Sequence, residues 1–191
     1  MLNNLRPQIA KVLNPIAKQI NINPNIITVT GLVLAIISGY LFYQQELIWG
    51  AILILFSGLL DIFDGAVARN TDSVTKFGGF LDSTIDRLSD AAIIIGIIAG
   101  GYVNWFIGVL AVHASITVSY VRARSEVENI PCAVGIGERA ERLAIIVFGA
   151  FISAIFGSDL MMWFMILLVI VGYFTVFQRV IHTWNSMKKQ Y

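Results

Sequence analysis

The sequence predicts an all-α membrane protein, with six transmembrane helices behind an N-terminal amphipathic interfacial helix. Three observations carry that prediction. Of 191 residues, 57% are hydrophobic and only 13% charged, where a soluble domain carries about 25% charge. Six apolar stretches, 26–43, 47–62, 85–98, 105–121, 143–156 and 160–180, approach the roughly 20 residues that a bilayer core demands. With the N-terminus placed inside, the outer loops near 44–46, 99–104 and 157–159 hold no Lys or Arg, and all 13 fall at the inner face. That pattern predicts a multi-pass protein of the cell membrane with both termini cytoplasmic. Net charge is only +1, and no nucleic-acid partner is expected.

Residues 1–25 read as a juxtamembrane segment, and 26–191 as one six-helix transmembrane domain. Leu2, Leu5, Ile9, Leu13, Ile16 and Ile20 recur at steps of three and four, with Arg6, Lys11 and Lys18 on other faces. This predicts an interfacial helix over 2–20, kinked at Pro15. The alternative is a helix packed on the domain; the span that follows at once favours the interface. No signal-peptide core precedes the first span, which therefore serves as the insertion signal. Pro24 and Asn25 suit the start of that span's helix. Several spans are short, so their helices are expected to run on into flanking polar residues. Cys132 is the single cysteine, which excludes a disulfide framework and leaves an incidental thiol.

The informative segment is Asp61-Ile62-Phe63-Asp64-Gly65-Ala66-Val67-Ala68-Arg69, followed after eight residues by Gly78, Asp82 and Asp86. A helix puts Asp61 and Asp64 on one face, and Asp82 and Asp86 on another. Asp61 lies about 14 residues, roughly 21 Å, from the outer start of its span, and Asp86 about 13 residues, roughly 20 Å, from Ala99. Both pairs therefore sit at matching depth near the cytoplasmic face. Four carboxylates there repel one another and lose solvation. Hard divalent cations are suitable partners, and two Mg²⁺ or Mn²⁺ ions would offset most of the charge and suit phosphoryl chemistry. Salt bridges to Arg69, Arg87 or Lys76, or a cation pathway, are the competing readings. The clustering of these pairs at one membrane face, with no matching set deeper or outside, weighs against a continuous pathway. Gly65 and Ala68 leave room for a ligand beside Asp64, while Gly78 and Gly79 serve a turn or close helix packing.

This pattern, Asp-x-x-Asp-Gly-x-x-Ala-Arg, eight residues, Gly-x-x-x-Asp-x-x-x-Asp, resembles the signature of the CDP-alcohol phosphotransferases, with every fixed position present. The resemblance implies a six-helix membrane enzyme, a homodimer, with two divalent metals surrounded by Asp61, Asp64, Asp82 and Asp86. It implies that Asp64, Gly65 and Arg69 contact the CDP-lipid, with Thr75 nearby and with Pro24, Asn25, Ile26 and Ile27 on the nucleotide side. It makes Asp86 the general base that takes the acceptor's proton before CMP departs. Asp90, one turn further on, reads as a structural partner.

The acceptor is read from the loop. Gly137-Glu138-Arg139-Ala140-Glu141-Arg142-Leu143 and Tyr120-Val121-Arg122-Ala123-Arg124-Ser125-Glu126 are similar to segments of the inositol-phosphate branch of that family. A phosphorylated polyol needs a cationic pocket, and Arg124, Arg139, Arg142 and Arg179 are the candidates. Anchoring to anionic headgroups is the alternative role for these arginines. The expected reaction joins a CDP-lipid, CDP-archaeol or CDP-diacylglycerol, to inositol phosphate. Glycerol 3-phosphate is the rival acceptor, and a membrane cation transporter is the rival from another class.

Overall fold

A computed structural model describes Pro15, Ala17 and residues 22–188. The interfacial helix expected over 2–20 otherwise lies outside the described residues. The described chain is all-helical: α1 (Pro24–Tyr43), α2 (Leu47–Asn70), α3 (Lys76–Ala99), α4 (Trp105–Val127), α5 (Arg139–Phe156) and α6 (Leu160–Lys188). Four of them, α1, α2, α4 and α6, are long and apolar enough to cross a membrane. The other two carry charge: α3 holds Lys76, Asp82, Asp86, Arg87 and Asp90, and α5 opens on Arg139, Glu141 and Arg142. The helices do extend beyond the apolar stretches. α2 continues through the aspartate motif to Asn70 and α3 begins at Lys76.

Local chemistry sets the helix starts. The Asn23 side chain accepts the Asn25 backbone N–H, with Pro24 in the first turn, where its missing donor costs nothing. Thr75 caps α3 by accepting from the Gly78 backbone N–H at 2.9 Å, and Asn104 caps α4 through Ile107. Each cap satisfies an otherwise orphaned donor.

The chain divides into two compact units, Met1–Gly101 and Tyr102–Tyr191. In the first, α1 packs against both α2 and α3. Serine hydroxyls bond backbone carbonyls across the α1–α2 seam: Ser38 to Gly50 at 2.8 Å and Ser57 to Gly31 at 2.9 Å. Such bonds satisfy hydroxyls that lipid could not. The α1–α3 crossing is closer still. A methyl group on Gly96 would overlap the Gly39 backbone, and one on Gly39 would overlap the Ala92 carbonyl. In the second unit, α6 packs against α4 and α5, and Gly149 lies against the Phe164 side chain. Large apolar side chains such as Ile36, Phe56, Phe148 and Ile170 face outward, as a lipid-facing surface requires.

Candidate active site

The first unit builds a carboxylate cluster. Asp61 on α2 meets Asp82 and Asp86 on α3, each offering an oxygen within 4.8 Å of the others. All three are half-buried. The helical phasing explains the meeting. Asp82 and Asp86 share one face at a spacing of four, and α2 and α3 both take α1 as packing partner. Three carboxylate oxygens this close fit a hard divalent cation. Arg87 reaches the cluster from the same helix. Its Nη1 donates to the Ser83 carbonyl at 2.5 Å and pairs with Asp86 at 3.5 Å.

Asp64 stands apart from that trio. It is 6% exposed, and its Oδ2 accepts the Thr28 hydroxyl at 2.5 Å. Thr28 was not among the residues singled out in the sequence. Its only signal there is a hydroxyl near the start of an apolar span, and Thr30 carries the same signal. Thr30 bonds the Ile26 carbonyl and is exposed.

The other candidates on this side fall into two groups. Asn25, Thr75 and Gly78 come together: a methyl group on Gly78 would lie 3.1 Å from Thr75 Oγ1 and 3.4 Å from Asn25 Oδ1. Gly65 leaves space taken by Arg69, whose Nη1 would be 3.1 Å from a methyl group there. Pro24 is half-buried and Ile26 is exposed, whereas the Ile27 side chain is buried with Ala17, Ala66 and Val67. Gly78 and Gly79 lie in the first turn of α3, and Gly79 faces open space instead of a packed neighbour. Asp90 is buried one turn beyond Asp86.

The arginines occupy the second unit. Arg142 and Arg179 are each 2% exposed. Arg142 Nη1 donates to the Gly137 carbonyl at 2.9 Å. Arg179 Nε donates to Val134 at 2.8 Å and Nη1 to Val118 at 2.6 Å, with Glu138 3.7 Å from Nη2. Two guanidinium groups are thus drawn to the same short loop. Thr175 and Gln178 of α6 hold that loop by accepting the Gly137 and Ile136 backbone N–H groups. Arg139 opens α5 and is half-buried. Arg124 is exposed and ion-paired with Glu128. Cys132 is buried and unbridged.

Carboxylates converging on apolar helices of this length define a membrane protein whose site suits a divalent cation and the phosphate chemistry such a cation supports. Comparison with known proteins narrows the class. The CDP-alcohol phosphatidyltransferase model matches residues 21–177. The chain is 48% identical to the archaetidylinositol phosphate synthase of Methanothermobacter thermautotrophicus, over 98% of this chain and 96% of that one. The structure resembles the crystal structure of Mycobacterium tuberculosis phosphatidylinositol phosphate synthase with CDP-DAG bound. The TM-score is 0.82 at 29% identity, covering 91% of this chain and 94% of that one. The same mycobacterial enzyme in complex with manganese and citrate also gives 0.82 at 29% identity, over 90% and 88%. The chain belongs to the CDP-alcohol phosphatidyltransferase family and is a membrane transferase.

Proposed function

We propose that the enzyme transfers a lipid phosphate group from CDP-archaeol, or from CDP-diacylglycerol, to a hydroxyl of inositol phosphate, releasing CMP. The observation that carries this reading is the Asp61–Asp82–Asp86 cluster in a chain 48% identical to an archaetidylinositol phosphate synthase. That relative's name favours the archaeol donor. The two buried arginines that donate to one loop favour a phosphorylated acceptor, because a guanidinium fork matches phosphate geometry.

Asp61, Asp64, Asp82 and Asp86 would hold two divalent ions, Mg²⁺ or Mn²⁺, which supply charge neutralisation at the pyrophosphate. The rest is done by the chain's own groups. Asn25 and Thr75 sit beside Gly78 and, with Pro24, Ile26, Ile27, Gly65 and Arg69, bind the CDP portion. Asp86 accepts the proton of the acceptor hydroxyl. The freed oxygen attacks the lipid-side phosphorus, the bond to the CMP oxygen breaks, and CMP leaves with the electron pair. Arg139, Arg142 and Arg179 bind the acceptor phosphate, and Arg124 adds a peripheral charge.

All six helices are read as spans, with both termini on the cytoplasmic side. The charges of α5 lie in its first turn, and those of α3 all fall within 76–90, ahead of an uncharged end at 91–99, which suits helices that start at the interface. The enzyme works as a homodimer. A purified-enzyme assay tests the function: CMP release from CDP-archaeol that depends on inositol phosphate is expected. Release driven by glycerol 3-phosphate instead would overturn the acceptor. A burst of CMP without acceptor would overturn direct displacement.

A further inference from the structure

We infer that Thr28 is a positioning residue of the active site, fixing the Asp64 carboxylate from α1 and thereby setting the affinity for the divalent ion. The inference deepens the function proposed above and rests on it.

Asp64 is the most buried of the four motif aspartates, at 6% exposure, and it lies outside the trio that converges on its own. A carboxylate that deep requires donors. Thr28, itself 8% exposed, supplies one at 2.5 Å. Its hydroxyl also lies 3.1 Å from the Pro24 carbonyl. One hydroxyl carries one proton, and the nearer, ionised oxygen takes it, because charge-assisted bonds are shorter and stronger. The bond commits Oδ2 to α1 and blocks rotation of the carboxylate.

Thr30 shows what a structural hydroxyl looks like here. It bonds back to the Ile26 carbonyl at 2.8 Å, a common habit of helical threonine, with no carboxylate beside it. Thr28 keeps a longer contact of that kind, 3.1 Å to Pro24, and makes its shorter one to a residue 36 positions away in sequence. The same helix start holds Asn25, whose side chain lies near Gly78 of α3. The first two turns of α1 therefore reach both helices that carry the aspartates. Partners one bond removed from a metal ligand orient it, and losing one weakens binding.

The test uses full-length protein in lipid nanodiscs, with Mn²⁺ affinity read from the free-ion EPR signal and CMP release read in parallel. Thr28→Val keeps the shape and removes the donor; it should weaken Mn²⁺ binding about tenfold and lower kcat with little change in the KM for inositol phosphate. Thr28→Ser restores the donor and should return Mn²⁺ affinity to within about threefold of the parent. Thr30→Val should match the parent in both readouts. Parent-like Mn²⁺ affinity in Thr28→Val overturns the inference. So does a Thr28→Ser variant as weak as the valine one, since packing of the methyl group would then be the cause. Should Thr28→Val not fold, Thr28→Cys replaces it: a weaker donor predicts an intermediate loss, and unchanged affinity overturns the inference. A parent enzyme that neither binds Mn²⁺ nor releases CMP would overturn the functional reading itself, an outcome distinct from an unaffected Thr28→Val.

Discussion

The two units of the chain handle charge in opposite ways. In the unit of α1–α3, three half-buried aspartates face one another across two helices, with Arg87 Nη1 3.5 Å from Asp86. Their mutual repulsion favours whatever cation can reach them. In the unit of α4–α6, two arginines are buried deeper, yet backbone carbonyls of Gly137, Val134 and Val118 already receive their donors. The first unit gathers acidic charge in a form that suits a divalent cation. The second holds basic charge oriented by the protein itself, so a phosphate would meet a preset geometry. The proposed function gives reaction type to the first and substrate choice to the second.

The largest expected effect tests the first half of that contrast. Asp86→Asn keeps the shape and removes the base, and should lower turnover about a thousandfold while retaining much CDP-lipid binding. Single-turnover CMP release and equilibrium CDP-lipid binding check it. Retained turnover would take the proton-transfer role from Asp86.

The second half is tested by Arg142→Lys and Arg179→Lys. Each keeps the charge and loses the fork, so each should raise the KM for inositol phosphate about 10- to 100-fold, with the KM for CDP-lipid little changed. Steady-state assays varying each substrate in turn provide the check. Equal rises in both constants would show that these arginines serve the fold more than the acceptor.

The same contrast explains what the sequence disclosed. Asp61, Asp82 and Asp86 were legible because spacings of three and four translate directly into a helix face. The start of α1 was legible because Pro24 and its neighbours act through local capping. Thr28 was not, because its partner is 36 residues away, and no pattern within α1 separates it from Thr30. Nor were the arrangements of Arg179, whose carbonyl partners are 45 and 61 residues distant. Sequence identified it as a cation at the end of a span; only tertiary packing shows which carbonyls hold it. The glycines divide likewise. Gly78 and Gly79 resembled turn residues, but the Thr75 cap starts α3 ahead of them.

A smaller effect separates packing glycines from the rest of the first unit. Gly96→Ala places a methyl group into the Gly39 backbone and should cost about 1–3 kcal/mol, whereas Gly79→Ala enters open space and should be neutral or stabilising by about 0.5–1 kcal/mol. Thermal unfolding in detergent distinguishes the two. Equal melting temperatures would mean that α1 and α3 can separate without loss.

The smallest effect belongs to Arg124. Its guanidinium pairs with Glu128 one turn away, with about half of each side chain exposed. An exposed pair of this kind contributes well under 1 kcal/mol, and its charge is already offset before any acceptor arrives. Arg124→Gln should therefore raise the KM for inositol phosphate less than about threefold, far below the effect at Arg142 or Arg179. A Glu128→Gln variant sharpens the point by freeing Arg124 from its partner. If Arg124 adds only peripheral charge, releasing it should lower that KM slightly, and the gain should vanish at high salt because exposed charges are screened. A loss at Arg124 as large as that at Arg179 would move the acceptor phosphate to the solvent-facing end of α4. Burial would then no longer distinguish the arginines that choose the substrate.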